Sequence, residues 1–409
     1  MSHERKEYTY IDLFSGCGGL ALGMHFAGWN AHFAVEKNQD AFGTLKFNLI
    51  EKKQHFCWPA WLPEGTHDIN ELIASHEAEL KAMAGKVTLV TGGPPCQGFS
   101  MAGRRKEDDI RNSLIDSYLR FVDLVAPDSL LFENVKGFTQ PFNNCADDNK
   151  GKNYSVYIVK ELQKRGYAVD SKMLDFSKYG VPQRRMRFIL FASKTIKPKD
   201  FFKALRRNRS EFFKNKGLTA SVSLKAAISD LMKENGQQPC IDSKGFMSGV
   251  YGSARTKYQR YCRDGAQRGT VPDSHRFANH REGTVVRFQE LLADDVRNQN
   301  ISDVLKEKYG VKKNCFSVLD ANIPSPTLTS NPDDHIHYQE PRTLTVREYA
   351  RVQSFPDWYE FKGPYTTGGD LRKIEVPRYT QIANAIPPLF AEQVGLTLKQ
   401  LLTNLNTEH

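Results

Sequence analysis

The chain has 409 residues, 40% hydrophobic and 25% charged, with a formal net charge of +10 and a pI near 9.1. Its length predicts two or three domains of roughly 150 residues, enough for buried cores without staples. No apolar run approaches the roughly 18 residues of a membrane span, and the charged start MSHERKEYTYIDLF has no secretory pattern. The cationic excess favours a polyanionic partner. Seven cysteines (Cys17, Cys57, Cys96, Cys145, Cys240, Cys262, Cys315) are odd in number and never spaced CxxC. That argues against a disulfide framework or a zinc site and for a reducing compartment.

In chain order, Tyr8–Phe14 is a strand, and the glycine turn at 16–19 opens a helix running through Ala27. Ala31–Val35 is a second strand, followed by a helical stretch near 38–50. A short third strand is expected to end at HDI, 67–69, before a helix through about Met83. Lys86–Thr91 and Ser129–Phe132 are apolar runs suited to buried parallel strands, with a helix near 112–126 between them. A helix near 154–165 and the segments YAVDSKML and RFILFA complete the pattern. Alternating strands and helices predict an α/β fold, a parallel sheet wound on both faces. From about 194 to 345 the chain is basic, weakly periodic and rich in Gly, Pro, Ser and Asn, which predicts a smaller, loop-rich domain. Nine Lys/Arg face two acids in 194–217, and eight face three in 251–287, where tyrosines and Phe277 are interleaved. Such runs are solvated faces or nucleic-acid surfaces. The last stretch, QIANAIPPLFAEQVGLTLKQLL, regains helical spacing and can pack back onto the first domain.

Four segments carry candidate chemistry. In DLFSGCGGL, 12–20, small residues between a strand and a helix let a cofactor approach the backbone. Glu36, twenty residues after Gly16, can accept ribose hydroxyls. GxGG lacks the offset third glycine of a dinucleotide fingerprint, so a nicotinamide cofactor is less favoured than another adenosine-bearing one. A tight turn alone is the competing account. Asp68, after the expected third strand, can bond an adenine amine.

In VTGGPPCQGFSMAG, 90–103, two prolines fix the backbone just before Cys96. A free thiol is only slightly ionised near neutrality and needs positive charge or helix-end amides to act as a nucleophile. Arg104, Arg105 and Arg111 are nearby candidates. Gly98 and Gly103 flank a charged loop able to swing over a substrate. A buried inert thiol beside an exposed loop is the alternative.

LLFENVKGF, 130–138, puts Glu133 and Asn134 at the end of another buried strand, where a carboxyl group can donate a proton to a ring nitrogen or simply cap the next turn. In YGVPQRRMRFIL, 179–190, alternation places Arg185 and Arg187 on one side of a strand mouth and Met186 on the other. Guanidinium groups there can grip a carbonyl, carboxylate or phosphate, or lie at the surface.

FSGCGG, PPCQGFS, ENVKG, QRRMR, RTLTVREYARVQSFPD at 342–357 and QIANAIPP at 381–388, taken in that order, resemble the DNA (cytosine-5)-methyltransferases of bacterial restriction-modification type. Only about 195–320 lies outside these segments. The resemblance implies a Rossmann-like, doubly wound S-adenosylmethionine-dependent methyltransferase domain at 1–193. It implies a target-recognition domain at 194–345 and a C-terminal segment, 346–409, packed on the catalytic domain. S-adenosylmethionine, leaving as S-adenosylhomocysteine, would be held by Phe14, Ser15, Gly16, Gly18, Gly19, Leu20 and Glu36. Asp68, Ile69, Pro95, Leu114, Asn384 and Ala385 would assist, with no metal.

Cys96 is implied as the nucleophile toward C6 of a flipped-out cytosine and Glu133 as the acid near N3. Arg187, supported by Arg185, would position both. Ser100, Arg111 and Thr327 would contact DNA, Thr327 near the target phosphate. Double-stranded DNA is the implied partner of a monomer in the bacterial cytoplasm, near the nucleoid and away from membranes, with a cognate restriction endonuclease as functional companion. Two positions depart from the pattern. Ala383 stands where glycine is usual, which alters cofactor packing slightly, and Met186 where an acid is common. Three other functions fit parts of the sequence: an RNA (tRNA) cytosine-5 methyltransferase on the same fold, a nicotinamide oxidoreductase, and a DNA-binding regulator with a silent catalytic domain.

Overall fold

The computed structural model describes residues 8–95, 113–140, 153–294, 296–311 and 316–407. Its contacts separate two units. One comprises residues up to Asp175, Met186–Arg209 and the chain from Ala391 onward; the other comprises Phe176–Arg185 and Ser210–Phe390.

The first unit is built on alternation of buried strands with amphipathic helices. In chain order these are β1 (Thr9–Leu13), α1 (Gly19–Phe26), β2 (Asn30–Val35), α2 (Gln39–Leu45), α3 (Ile69–Ser75), α4 (Glu77–Ala82) and β3 (Leu89–Gly92). There follow α5 (Ser113–Val125), β4 (Ser129–Val135), α6 (Tyr154–Lys164), β5 (Ala168–Asp175), β6 (Met186–Ser193) and α7 (Pro198–Arg207). Side chains cap three of the helices: Asn38 accepts from Asp40 N and Ala41 N at α2, Asp68 from Asn70 N at α3, and Asn153 from Ser155 N and Val156 N at α6. The strand order is β2-β1-β3-β4-β6-β5. Strands β1 to β4 are mutually parallel and buried, with Ile11, Leu13, Phe33, Val90 and Phe132 in one core with Tyr118 and Phe121 of α5.

Strand β6 departs from the expected parallel sheet, running antiparallel to both β4 and β5. Only residues 176–185 separate β5 from β6. That is too short for the crossover a parallel return requires. The expected strand at 67–69 is also absent. Asp68 instead caps α3, accepting the Asn70 N–H at 2.8 Å, and the cap satisfies a helix-end donor that a strand would leave open.

After β2 the chain recrosses β1 and lays β3 on its other side, so the winding reverses between β1 and β3. Ligands of open α/β sheets bind outside the strands' carboxyl ends at such a point.

The C-terminal helix α15 (Pro388–Thr407) gives its residues from Ala391 onward to this unit. There Gly395 lies against Met24, Ala27 and Trp29, a Cβ at 395 would sit 2.6 Å from that of Ala27, and the Trp29 indole donates to Gly395 O at 2.9 Å. Lys399 Nζ donates to Gly28 O.

The second unit holds α8 (Arg209–Lys216) from Ser210 on, α9 (Leu224–Ile228), β7 (Gln237–Pro239), β8 (Met247–Gly249), α10 (Lys257–Arg263), α11 (Glu282–Ala293) and α12 (Asp303–Lys308). It continues with β9 (Ser317–Val318), β10 (His335–Ile336), α13 (Val346–Val352) and α14 (Arg378–Asn384). Its strands form two-stranded pairs, β7 with β8 antiparallel and β9 with β10 parallel. Short helices rather than strands supply most of its regular structure, and the rest of the unit is loops.

The unit also holds a satellite core of Phe288, Leu291, Phe316 and Ile336, and a buried ionic network. Arg351 donates to both oxygens of Asp357 at 2.6 Å and to both of Asp230 at 3.2 Å. Arg263 also reaches Asp230, and Tyr251 OH donates to Asp357. Glu348 accepts from two Arg342 nitrogens while closing the capping box of α13 with Thr345. Among the described residues no helix is long and apolar enough to cross a membrane.

Candidate active site

The carboxyl end of β1 turns sharply into α1. Phe14, a bulky residue, has φ 56°, a strained value typical of functional turns. Gly16 and Gly18 take φ 55° and 85°, which glycine alone adopts without penalty. Ser15 N donates to Val35 O, so the turn is tied to the end of β2. From there Glu36 reaches back: its Oε2 accepts from Gly16 N at 3.0 Å and its Oε1 from Asn38 N at 2.8 Å. Burial outweighs these bonds and raises its pKa above the ordinary value. Each carboxylate oxygen retains capacity for a ligand hydroxyl.

Two side-chain atoms at this turn are buried without a hydrogen-bond partner among the described residues, Ser15 Oγ and Asp12 Oδ2. Orphans of this kind are rare in folded proteins and fit a polar ligand seated on the turn. Cys17 is buried in the same turn, and burial pushes its thiol up to about 12, so it is inert. Leu20 and Ile69 are buried in the protein, leaving chiefly their backbone to offer a ligand. Leu114 packs partly buried on the core, Pro95 is exposed, and Lys37 Nζ lies 3.9 Å from Asp68 Oδ2.

The end of β3 is wedged between its neighbours by two glycines. A Cβ at Gly92 would meet Leu13 O at 2.6 Å, and one at Gly93 would collide with Glu133 O. Only glycine lets β3 deliver Pro94 and Pro95 between β1 and β4. Beside them Glu133, on β4, pairs with Arg187, on β6, Oε1 to Nε at 2.9 Å; their side chains are 15% and 11% exposed. Arg187 also donates through Nη1 to Met186 O. Cys96, Ser100, Arg111 and the Gly98–Arg111 loop lie outside the described residues.

Arg185 precedes β6 rather than lying in it, so strand alternation applies to Arg187 and does not set the direction of Arg185. Within the second unit, Arg185 is buried and its Nη2 donates to Ala385 O at 3.3 Å. Gln353 Nε2 donates to the same carbonyl at 3.2 Å and to Ile382 O at 2.8 Å, fixing the end of α14, where Asn384 is exposed. Gln353 Oε1 in turn accepts from Gln183. Thr327 Oγ1 donates to Arg184 O at 2.8 Å, while Ser325 O accepts from Arg184 N.

Two contributors escaped the sequence. Asp12 accepts from Thr91 Oγ1 at 2.8 Å, and its signal was an acid inside the apolar run YIDLF. Gln353 carried no such mark. Among the described residues no group of three or more His, Cys, Asp or Glu is placed to hold a metal.

The profile of the family described as C-5 cytosine-specific DNA methylase matches residues 8–400. The type II methyltransferase M.DdeI of Desulfomicrobium norvegicum is 31% identical over 97% of this chain and 89% of its own. The type II methyltransferase M.XorII of Xanthomonas oryzae pv. oryzae is 29% identical over 94% and 83%. Among solved structures, an E. coli chain described as a DNA modification methyltransferase encoded within a prophage superposes with a TM-score of 0.65 at 26% identity, covering 97% of this chain and all of that one.

Proposed function

The chain belongs to the C-5 cytosine-specific DNA methylase family, and we propose that it methylates cytosine in double-stranded DNA through a transient bond between Cys96 and C6. The observation that carries this is the Glu133–Arg187 pair at the sheet's carboxyl edge, against Gly93 and three residues from Cys96. S-adenosylmethionine fits the glycine turn, with Glu36 for ribose hydroxyls and Ser15 Oγ and Asp12 Oδ2 as polar groups awaiting partners. When bound it supplies an electrophilic methyl group. Asp68 would complete the contacts that the first unit offers it.

The chain's own residues prepare the base. A stacked cytosine cannot reach a sheet edge, so the nucleotide is flipped out of the duplex. The Cys96 thiolate adds to C6 while Glu133 donates a proton to N3, leaving C5 electron-rich and able to take a methyl group. Arg187 orients Glu133 and can hydrogen-bond the base. Loss of the C5 proton then expels the Cys96 thiolate, the N3 proton returns to Glu133, and the aromatic ring is restored. Splitting the substitution this way replaces one difficult step by easier ones. Residues 194–345 would choose the target sequence, and Thr327 would bind a phosphate. Protection of DNA beside a cognate endonuclease is the biological role that accords with the type II relatives.

Methyl transfer from tritiated donor to duplex DNA tests the proposal. Cys96→Ser should abolish transfer while leaving DNA binding, and a duplex with 5-fluorocytosine at the target should trap a stable adduct at Cys96. A fully active Cys96→Ser protein, or an adduct mapping elsewhere, refutes the thiol mechanism. Transfer to tRNA and not to DNA refutes the substrate.

A further inference from the structure

The β7–β8 ribbon ends in a turn, 240–246, that carries one of the most exposed apolar side chains in the molecule: Ile241 is 97% exposed. Single exposed apolar residues are common and by themselves mean little. Here the turn around it is clamped. Cys240 N donates to Phe246 O at 2.9 Å and Phe246 N to Ser243 O. The Arg276 guanidinium lies 4.1 Å from the Phe246 ring centre and 3.8 Å from that of Tyr365, and it donates to Ser243 Oγ. Asn279 Nδ2 donates to Gly245 O. Asp242 accepts from Tyr365 OH, Arg378 Nη1 and the Cys240 thiol.

The ribbon's base is equally fixed. Gly249 lies so close to His275 that a Cβ would come within 2.5 Å of the ring, and Gly249 N donates to His275 O. Ile241 is therefore held in water by a preformed frame, which lowers the ordering cost of binding a partner.

We propose that this ribbon enters a groove of the DNA substrate, with Ile241 packing against base edges and Lys244 contacting a phosphate. This rests on the DNA-methylating function above and names the element that reads sequence. A two-stranded antiparallel ribbon fits the major groove, where an apolar side chain distinguishes thymine by its methyl group and glutamine amides pair with adenine. Gln237, Gln238, Pro239 and Met247 are exposed along the ribbon beside Ile241 and Lys244. Its acid, Asp242, is matched by Arg378, and the turn adds the exposed Lys244. A polyanion suits these surroundings better than a protein surface of mixed charge.

The test uses the full chain. Sites methylated by the wild type are first mapped by methylation-sensitive sequencing of plasmid DNA from expressing cells, and purified protein is then assayed on a duplex carrying one site. Ile241→Ala should lower kcat/KM on that duplex about tenfold and relax the base choice at one position, with the melting temperature and S-adenosylhomocysteine affinity unchanged. Lys244→Ala should weaken binding equally on all sequences and reduce the slope of log K against log salt by about 1.

Wild-type site choice, kcat/KM and salt slope in both variants overturn the proposal. So does an Ile241→Ala protein that loses kcat equally on every duplex with site choice unchanged. A wild type that methylates no DNA is a different failure, that of the function itself.

Discussion

Glu133 and Arg187 meet diagonally across antiparallel strands. Glu133 stands opposite Ile189 and Arg187 opposite Val135, yet Oε1 and Nε are 2.9 Å apart. Diagonal neighbours on one sheet face come within reach of long side chains. Glu133→Gln should lower the rate of methyl transfer about 10²–10⁴-fold, the range expected for a lost proton donor. Arg187→Ala should cost on the order of 10²-fold, and Arg187→Lys less, because an ammonium keeps the charge but not the guanidinium geometry. Single-turnover methylation at saturating DNA checks this; rates near wild type for Glu133→Gln would remove it from the chemistry.

Gly93→Ala tests the wedge between β1 and β4. Its methyl group cannot coexist with Glu133 O at the present spacing. We expect a stability loss of about 1–3 kcal/mol from overpacking, read by urea denaturation, and a disproportionate fall in activity because the displaced residue is Glu133. Gly65→Ala, where a Cβ meets nothing within 4 Å, is the control and should leave both unchanged.

Asp12 gives a pH signature. Burial raises its carboxyl to about 7, against the pull of the Thr91 hydroxyl and with help from the charge of Glu36. The unfolded chain ionises near 3.8, so between these values the unfolded state binds fewer protons. The stability associated with the protonated group is complete below about 3.8, falls as pH rises to about 7, and is level above. The loss is ~4 kcal/mol. Asn cannot ionise, so wild type minus Asp12→Asn stability should decline between pH 4 and 7. A flat difference across that range would mean Asp12 ionises normally in the fold.

Arg351 is the centre of the buried network, serving Asp357 and Asp230 together. Arg351→Ala leaves Asp230 to Arg263 and Asp357 to the Tyr251 hydroxyl, without the buried guanidinium they share, and should cost about 3–5 kcal/mol, detectable as a melting shift or insoluble expression. Truncating exposed Lys81, paired with Glu77 at i,i+4, should leave the melting temperature unchanged.

Much of the first unit was legible because its strands are short apolar runs between glycine or asparagine turns. Thr9–Leu13, Asn30–Val35 and Ser129–Val135 fall close to their expected bounds. Strand β6 was found but not its direction, since periodicity is blind to orientation and only the length of 176–185 excludes a parallel return. The strand expected at 67–69 failed because Asp68 is a better helix cap than strand residue. Glu133 and Arg187 were legible as residues, but their contact depends on the pairing of β4 with β6, 54 positions apart in sequence. The polar interior of the second unit was the least legible. In RTLTVREYARVQSFPD nothing in the sequence marks Arg347 and Arg351 as buried, and only their three-dimensional neighbours show it.

The carbonyl of Gly395 accepts the indole proton of Trp29, and that bond joins residues 366 positions apart. A ribosome emits Trp29 long before Gly395. The nascent first unit must therefore wait, with an aromatic face uncovered beside Met24 and Ala27, while residues 210–390 are still being made. Its final sealing is a step of high contact order, slow by that measure, and until then the uncovered face is open to misassembly.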